Sequence, residues 1–193
     1  MPGSWPVTGA FPNSADASVR EARPGDVPAI AAVQARAWRA AYAGLLDPAT
    51  LAELTPEALD GPWREAVTRP PSPRHAVLVA LADDLVVGFA AAAPSEDADA
   101  DADDGEIVAL AVDPAHQQGG HGSRLLAAAT DHLRDAGLRS VMAWTPEGDA
   151  PRRAFLASAG LRADGATRAY QGLELTEVRY SAALGGPVPR DGA

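Results

Sequence analysis

The sequence predicts an α/β fold, a mixed central β-sheet flanked by helices. Three observations carry this. Apolar runs of strand length recur along the chain, stretches with helical apolar spacing fall between them, and Gly or Pro punctuates most junctions. The predicted order is β-α-α-β-β-β-α-β-α-β-β, with no internal repeat.

Residues 1–17 carry three prolines and no apolar period, and are expected to be a disordered tail, as are residues 185–193. One folded domain then covers 18–184. Ser18 to Ala22 is a short strand, broken by Pro24-Gly25-Asp26, where Asp26 suits a helix cap. Val27, Ile30, Val33 or Gln34, Ala37 and Ala41 follow helical spacing, which predicts a helix over 27–43. Thr55-Pro56 opens a second helix, with a cap and proline at its first position, running to about Thr68. His75 to Leu81 and Leu85 to Ala93 form a hairpin across Ala82-Asp83-Asp84. An acidic loop, Ser95 to Gly105, precedes a strand from Ile107 to Val112. A helix over 121–136 presents Leu125, Leu126, Ala129 and Leu133 on one face. A strand from Leu138 to Trp144, a helix over 150–159 and strands near 161–170 and 173–183 complete the domain.

Composition narrows the chemistry. The 193 residues are 47% apolar and 22% charged, as in ordinary globular proteins, and no run approaches the roughly 20 apolar residues of a membrane span. The first residues do not read as a secretory signal, so the cytoplasm is the expected location. A net charge of −10 opposes nucleic-acid binding and suits a cationic small molecule or basic peptide. There is no cysteine, which excludes disulfides, thiolate metal sites and cysteine nucleophiles. All 16 basic residues are arginine, which excludes a P-loop lysine and Schiff-base chemistry.

The most informative unit is a strand, a turn, a glycine-rich loop and a helix: Glu106 to Val112, then Asp113-Pro114-Ala115-His116, then Gln117-Gln118-Gly119-Gly120-His121-Gly122-Ser123. Glycines leave the loop amides unobstructed, and the helix that follows contributes free N–H groups and its dipole. An anion fits there without any lysine. The spacing is neither a dinucleotide fingerprint, since Leu125 stands where the third glycine belongs, nor a Walker loop. A connector with no ligand is the other reading of the residues alone.

Gln117-x-x-Gly120-x-Gly122 resembles the Q/R-x-x-G-x-G/A signature of the GNAT superfamily of acyl-CoA-dependent N-acetyltransferases. Residues 105–161, from "GEIVALAVDPAHQQGGHG" to "RRAFLASAGL", are similar to that family's cofactor core. The segments "RPGDVPAIAAVQARAWRAAYAGLL" and "LTEVRY" resemble its first helix and last strand. The resemblance implies the GNAT fold, with two parallel strands, 107–112 and 138–144, splayed around the pantetheine arm of acetyl-CoA. It implies an acetyl-CoA donor bound by Leu110, Ala111 and Val112, by the loop Gln117, Gln118, Gly119, Gly120, His121, Gly122 and Ser123, and by Asp149 and Phe155. Arg124 is either a phosphate ligand or a solvated helix residue.

An acceptor amine must lose a proton, and Glu106 matches the position where several family members carry a basic glutamate. Its alternatives are a strand-end carboxylate in solvent or one that binds a cationic substrate. Trp38 and Tyr42 are the expected walls of the acceptor cleft, with Trp63 nearby; core packing is the other reading of all three. Two departures from the family's N-x-x-A-x-x-F-Y motif stand out: Asp149 replaces the asparagine and Leu156 the tyrosine. Leu156 cannot protonate a leaving thiolate; Tyr170, Tyr180 or His121 are candidates to replace it. The implied activity is acetyl transfer to a primary amine of a small molecule or peptide by direct attack. The alternative is a catalytically degenerate acyl-CoA-binding protein, and a homodimer is compatible with the family. No metal is expected: the acidic loop has its glycine one position late for calcium, and Leu110 stands where a bidentate glutamate is needed. It is expected to be a mobile, solvated insertion.

Overall fold

A computed structural model describes residues 17–169 and 175–185. The expected tails lie outside these residues, apart from Ala17 and Gly185. Seven strands form one sheet: β1 (Ala17–Glu21), β2 (Ala76–Ala82), β3 (Leu85–Pro94), β4 (Asp104–Val112), β5 (Ser140–Pro146), β6 (Arg162–Ala169) and β7 (Thr176–Ala183), in the order β1-β2-β3-β4-β5-β7-β6. Every pairing is antiparallel except β4 with β5, at the middle of the sheet.

Among the described residues five α-helices accompany the strands: α1 (Val27–Tyr42), α2 (Pro48–Glu53), α3 (Pro56–Thr68), α4 (His121–Asp135) and α5 (Ala150–Ser158). The second of these corrects the predicted order, which placed only two helices before the hairpin. Asp47 caps α2 by accepting from the amides of Ala49 and Thr50, and Pro48 takes the first helical position. That is the same device as at α3, where the Thr55 hydroxyl accepts from the amide of Ala58.

Alternation along the strands feeds two cores. Leu78, Ala80, Val87 and Ala90 pack beneath Leu125, Ala129 and Leu133 of α4 and Leu156 of α5. Their neighbours Val79 and Phe89 face the opposite way, against Ile30 and Val33 of α1 and Trp63 of α3. Each large side chain so buried contributes about 1.5–3 kcal/mol. No helix among the described residues is long and apolar enough to cross a membrane.

The acidic loop is a second correction. Its last residues belong to β4, which begins at Asp104, and its first residues are tied down. Asp97 accepts from the indole of Trp144 at 2.9 Å and from Arg179 at 3.2 Å, while Asp99 receives both terminal nitrogens of Arg179 at 2.7 and 2.8 Å. The Arg179 Nε reaches Asp164 at 2.8 Å. This arginine, only 12% exposed, draws the loop onto the sheet. Asp99, then Asp164 and Asp97, push the Arg179 pKa above its ordinary value against the effect of burial. Asp97 and Asp99 are thus partners for arginines on the last two strands, while Asp101 stays exposed.

Candidate active site

The parallel ladder between β4 and β5 is short. It pairs Asp104 with Ser140, Gly105 with Val141 and Glu106 with Met142, and there it ends, although both strands continue. On its other edge β4 carries a bulge: Ala91 pairs with Ala109 and Ala92 with Ile107, leaving Val108 without a partner on β3. Val108 is 58% exposed and lines a cavity. Beyond Glu106 the two strands therefore diverge, and a slot opens between them.

A cavity of about 770 Å³ runs from this slot to the N-terminus of α4. Its lining contains Leu110, Ala111 and Val112 of β4, then Gln117, Gln118, Gly120, His121, Gly122 and Ser123, then Asp149 and Phe155. Gly119 is not in that lining; its carbonyl instead accepts from Arg124 Nη2 at 2.7 Å. Arg124 thus closes the loop on itself, and it is not in the lining either. Gly120 caps α4 with φ +75°, a left-handed conformation that glycine adopts freely, and Gln118 also has positive φ. The amides of His121, Gly122 and Ser123, in the first turn of α4, have no intrahelical acceptor and form a ready anion site.

Burial, then Arg124 and His116, lower the pKa of His121. The imidazole is accordingly neutral near pH 7. The loop is braced from behind: Arg36 of α1 donates to Asp113 through Nε at 2.8 Å and Nη2 at 2.5 Å, and Asp113 accepts the Ala115 amide at 3.0 Å. Burial opposes the charge on Asp113, but the Ala115 amide and Arg36 hold its pKa below the usual carboxylate value.

A second cavity, of about 620 Å³, holds Glu106. Its walls include Leu54, Leu59 and Trp63 of the helical segment, Val108 and Ala109 of β4, Trp144 of β5, and Arg168 and Glu177 of the last two strands. Glu106 is half-buried; desolvation, followed by the nearby Asp97, raises its pKa, with Arg168 and Ser95 pulling the other way. Glu177 is paired with Arg168 at 2.7 Å, and that guanidinium stacks 4.3 Å from the Trp144 ring. Glu106 forms no salt bridge among the described residues.

The two cavities share four wall residues: Trp38, Tyr42, Leu110 and Arg152. Trp38 and Tyr42, one turn apart on α1, meet edge to face at 5.9 Å. Trp63 reads differently: it is 8% exposed, donates to Gln34 and packs on Phe89 at 4.8 Å, so most of its surface is core.

The motif positions of α5 are accounted for individually. Asp149 caps the helix by accepting from the Arg152 amide at 3.0 Å. Leu156 is 2% exposed and belongs to the core beneath α4. Of the candidates to replace the tyrosine, Tyr180 is buried in that same core and accepts from Arg153 Nε at 3.3 Å. His121 lies at the glycine loop, and Tyr170 is outside the described residues.

Sequence reasoning missed Arg152. It stands where the N-x-x-A-x-x-F-Y pattern has alanine, three residues after Asp149, so the motif itself held the signal. Its Nη1 crosses from α5 to the Leu110 carbonyl of β4 at 2.8 Å. Its Nε is buried and has no hydrogen-bond partner among the described residues.

Comparison with known proteins accords with this geometry. The model of the acetyltransferase (GNAT) family matches residues 37–161, well over half of the chain. The chain belongs to that family. Among solved structures it is similar to the paia N-acetyltransferase of Thermoplasma acidophilum in complex with coenzyme A, with a TM-score of 0.67 and 16% identity over 87% of this chain and 99% of that one. The protein yncA of Salmonella typhimurium, solved with its cofactor acetyl-CoA, gives 0.66 and 19% identity over 90% and 99%. At these identities the likeness is one of fold. A mycothiol acetyltransferase of Kineococcus radiotolerans is 38% identical over 81 residues, 42% of this chain, and the match spans only 24% of that protein.

Proposed function

We propose that this protein moves an acetyl group from acetyl-CoA to a primary amine by direct attack, with Glu106 as the general base. The observation that carries this reading is the fork in the sheet. β4 and β5 part immediately after Glu106 pairs with Met142, and the slot they open leads to the free amides at the start of α4. A pantetheine arm suits the slot and a pyrophosphate suits those amides. Leu110, Ala111 and Val112 line the first cavity, and on this reading an amide near Leu110 would stabilise the oxyanion of the tetrahedral intermediate.

The acceptor enters as an alkylammonium with a pKa near about 10.4 and must lose a proton before it attacks. Glu106 faces the second cavity, and its raised pKa suits a proton acceptor at neutral pH. Leu110 lies four residues further along β4, roughly 13 Å away at strand spacing, so the proton travels through water. Trp38 and Tyr42 flank the junction and give the acceptor an apolar wall.

The experiment is thiol release from acetyl-CoA across a panel of amines, with Glu106→Gln in parallel. Turnover with at least one amine, reduced by about 10²–10⁴-fold in Glu106→Gln, supports the reading. The second reading, an acyl-CoA-binding protein without catalysis, rests on Leu156 in the core at the tyrosine position. Tight coenzyme A binding with no turnover on any amine selects it.

A further inference from the structure

We propose that Arg152 holds the sulfur of coenzyme A as a thiolate when the thioester breaks, the function that Leu156 cannot perform. This rests on the donor site described above and adds a catalytic group to it. Four observations converge. Leu156 is sealed in the core, and Arg152 lies one turn earlier on the same side of α5. Arg152 lines both cavities where they meet. Its Nη1 bonds to Leu110 O at 2.8 Å, so the guanidinium reaches from α5 to β4 beyond the end of the parallel ladder. Its Nε is buried and unpartnered, and no carboxylate forms a salt bridge with it among the described residues. A cation retained at such a junction is complementary to an anion that forms there during the reaction.

The other charged groups around the junction are already committed or lie farther along the two cavities. Arg168 is paired with Glu177 and Asp97. Asp149 caps α5, Glu106 sits at the fork, and His116 and His121 belong to the loop end of the first cavity. In the step itself the amine nitrogen bonds to the carbonyl carbon, and the C–S bond breaks with its electron pair leaving on sulfur. The nitrogen sheds two protons, one through water towards Glu106 before it attacks and one to solvent as the tetrahedral intermediate collapses. Arg152 stabilises the thiolate by charge and hydrogen bonding rather than by protonation, because a guanidinium does not give up its proton near neutral pH. The thiolate takes a proton from solvent after release.

The absence of cysteine makes the test direct, since the bound ligand supplies the only thiol. Ultraviolet thiolate absorbance of coenzyme A bound to the full chain is titrated against pH for wild type, Arg152→Gln and Arg152→Lys. Wild type is expected to lower the thiol pKa by about one unit or more relative to free coenzyme A. Arg152→Gln raises it again, because burial alone disfavours the thiolate, and Arg152→Lys restores part of the depression. An unshifted thiol in wild type overturns the proposal and needs no variant to show it. Equal thiol pKa values in wild type and a coenzyme-A-binding Arg152→Gln protein overturn it equally. Failure of wild type to bind coenzyme A would instead sink the donor site itself, and the role of Arg152 with it.

Discussion

Glu106 makes the clearest prediction at the scale of a single residue. Its pKa is raised by burial and by Asp97, and the base must be ionised to act. The acid limb of kcat/KM is therefore expected above the ordinary carboxylate range, activity rising with pH through it. That limb persists with acceptors of different basicity and disappears in Glu106→Gln; a limb that tracks only the acceptor's own pKa would exclude the assignment. The glycine loop yields a second prediction. A Cβ at Gly122 meets the Phe155 ring at 3.6 Å and Val112 Cγ2 at 3.7 Å, ordinary contacts. Gly122→Asp thus leaves the melting temperature nearly unchanged, yet its charge faces the anion site and removes coenzyme A binding by calorimetry. Gly120→Asp is a poorer probe, since φ +75° adds about 1–2 kcal/mol of left-handed strain. The loop was legible in the sequence because its chemistry is local: contiguous amides on one helix start. Arg152 was not, because its meaning depends on Leu110, 42 residues away in the chain.

At the scale of elements, caps and apolar periods predicted most boundaries closely, α3 among them. The missed helix α2 has a like opening, a capping residue followed by proline, in Asp47-Pro48, but its six residues are too short to show an apolar period. The acidic loop misled for a different reason. Alternating Asp and Ala reads as solvated until the loop finds cationic partners, and Arg179 and Arg168 lie about 70–80 residues later. Arg179→Met is expected to destabilise the protein at pH 7 by about 2 kcal/mol, less than the ~3–5 kcal/mol of a fully buried pair because Asp99 is largely exposed. Asp99 and Asp164 have depressed pKa values, Asp99 through Arg179 first, and Asp164 through the Ala166 amide and Arg179 against burial. Their contribution is present above the unfolded carboxylate pKa and lost as pH falls through the folded values. The penalty of Arg179→Met should shrink accordingly in urea unfolding at low pH. An undiminished difference there would show that packing on Trp144 is the larger effect.

At the scale of the whole molecule, the sheet separates two cores and also gathers the site. α1 and the α2–α3 segment supply one side of the second cavity, while α4 and α5 supply the far end of the first. The apolar runs and the helices between them announced such a layered architecture, whereas the parting of β4 and β5 was implied only by the family resemblance. That is set by the short parallel ladder and the Val108 bulge, neither of which leaves a pattern in the residues themselves.

The two cavities have a consequence for the order of events in turnover. They share only Trp38, Tyr42, Leu110 and Arg152, so on the proposed reading donor and acceptor would have separate berths and could be held simultaneously. No acyl group needs to be parked on the chain between half-reactions. Initial-rate plots at several fixed amine concentrations should give intersecting lines, with coenzyme A competing against acetyl-CoA but not against the amine. Parallel lines, or an acetylated protein trapped in the absence of amine, would point to a two-stage relay that this floor plan makes unnecessary.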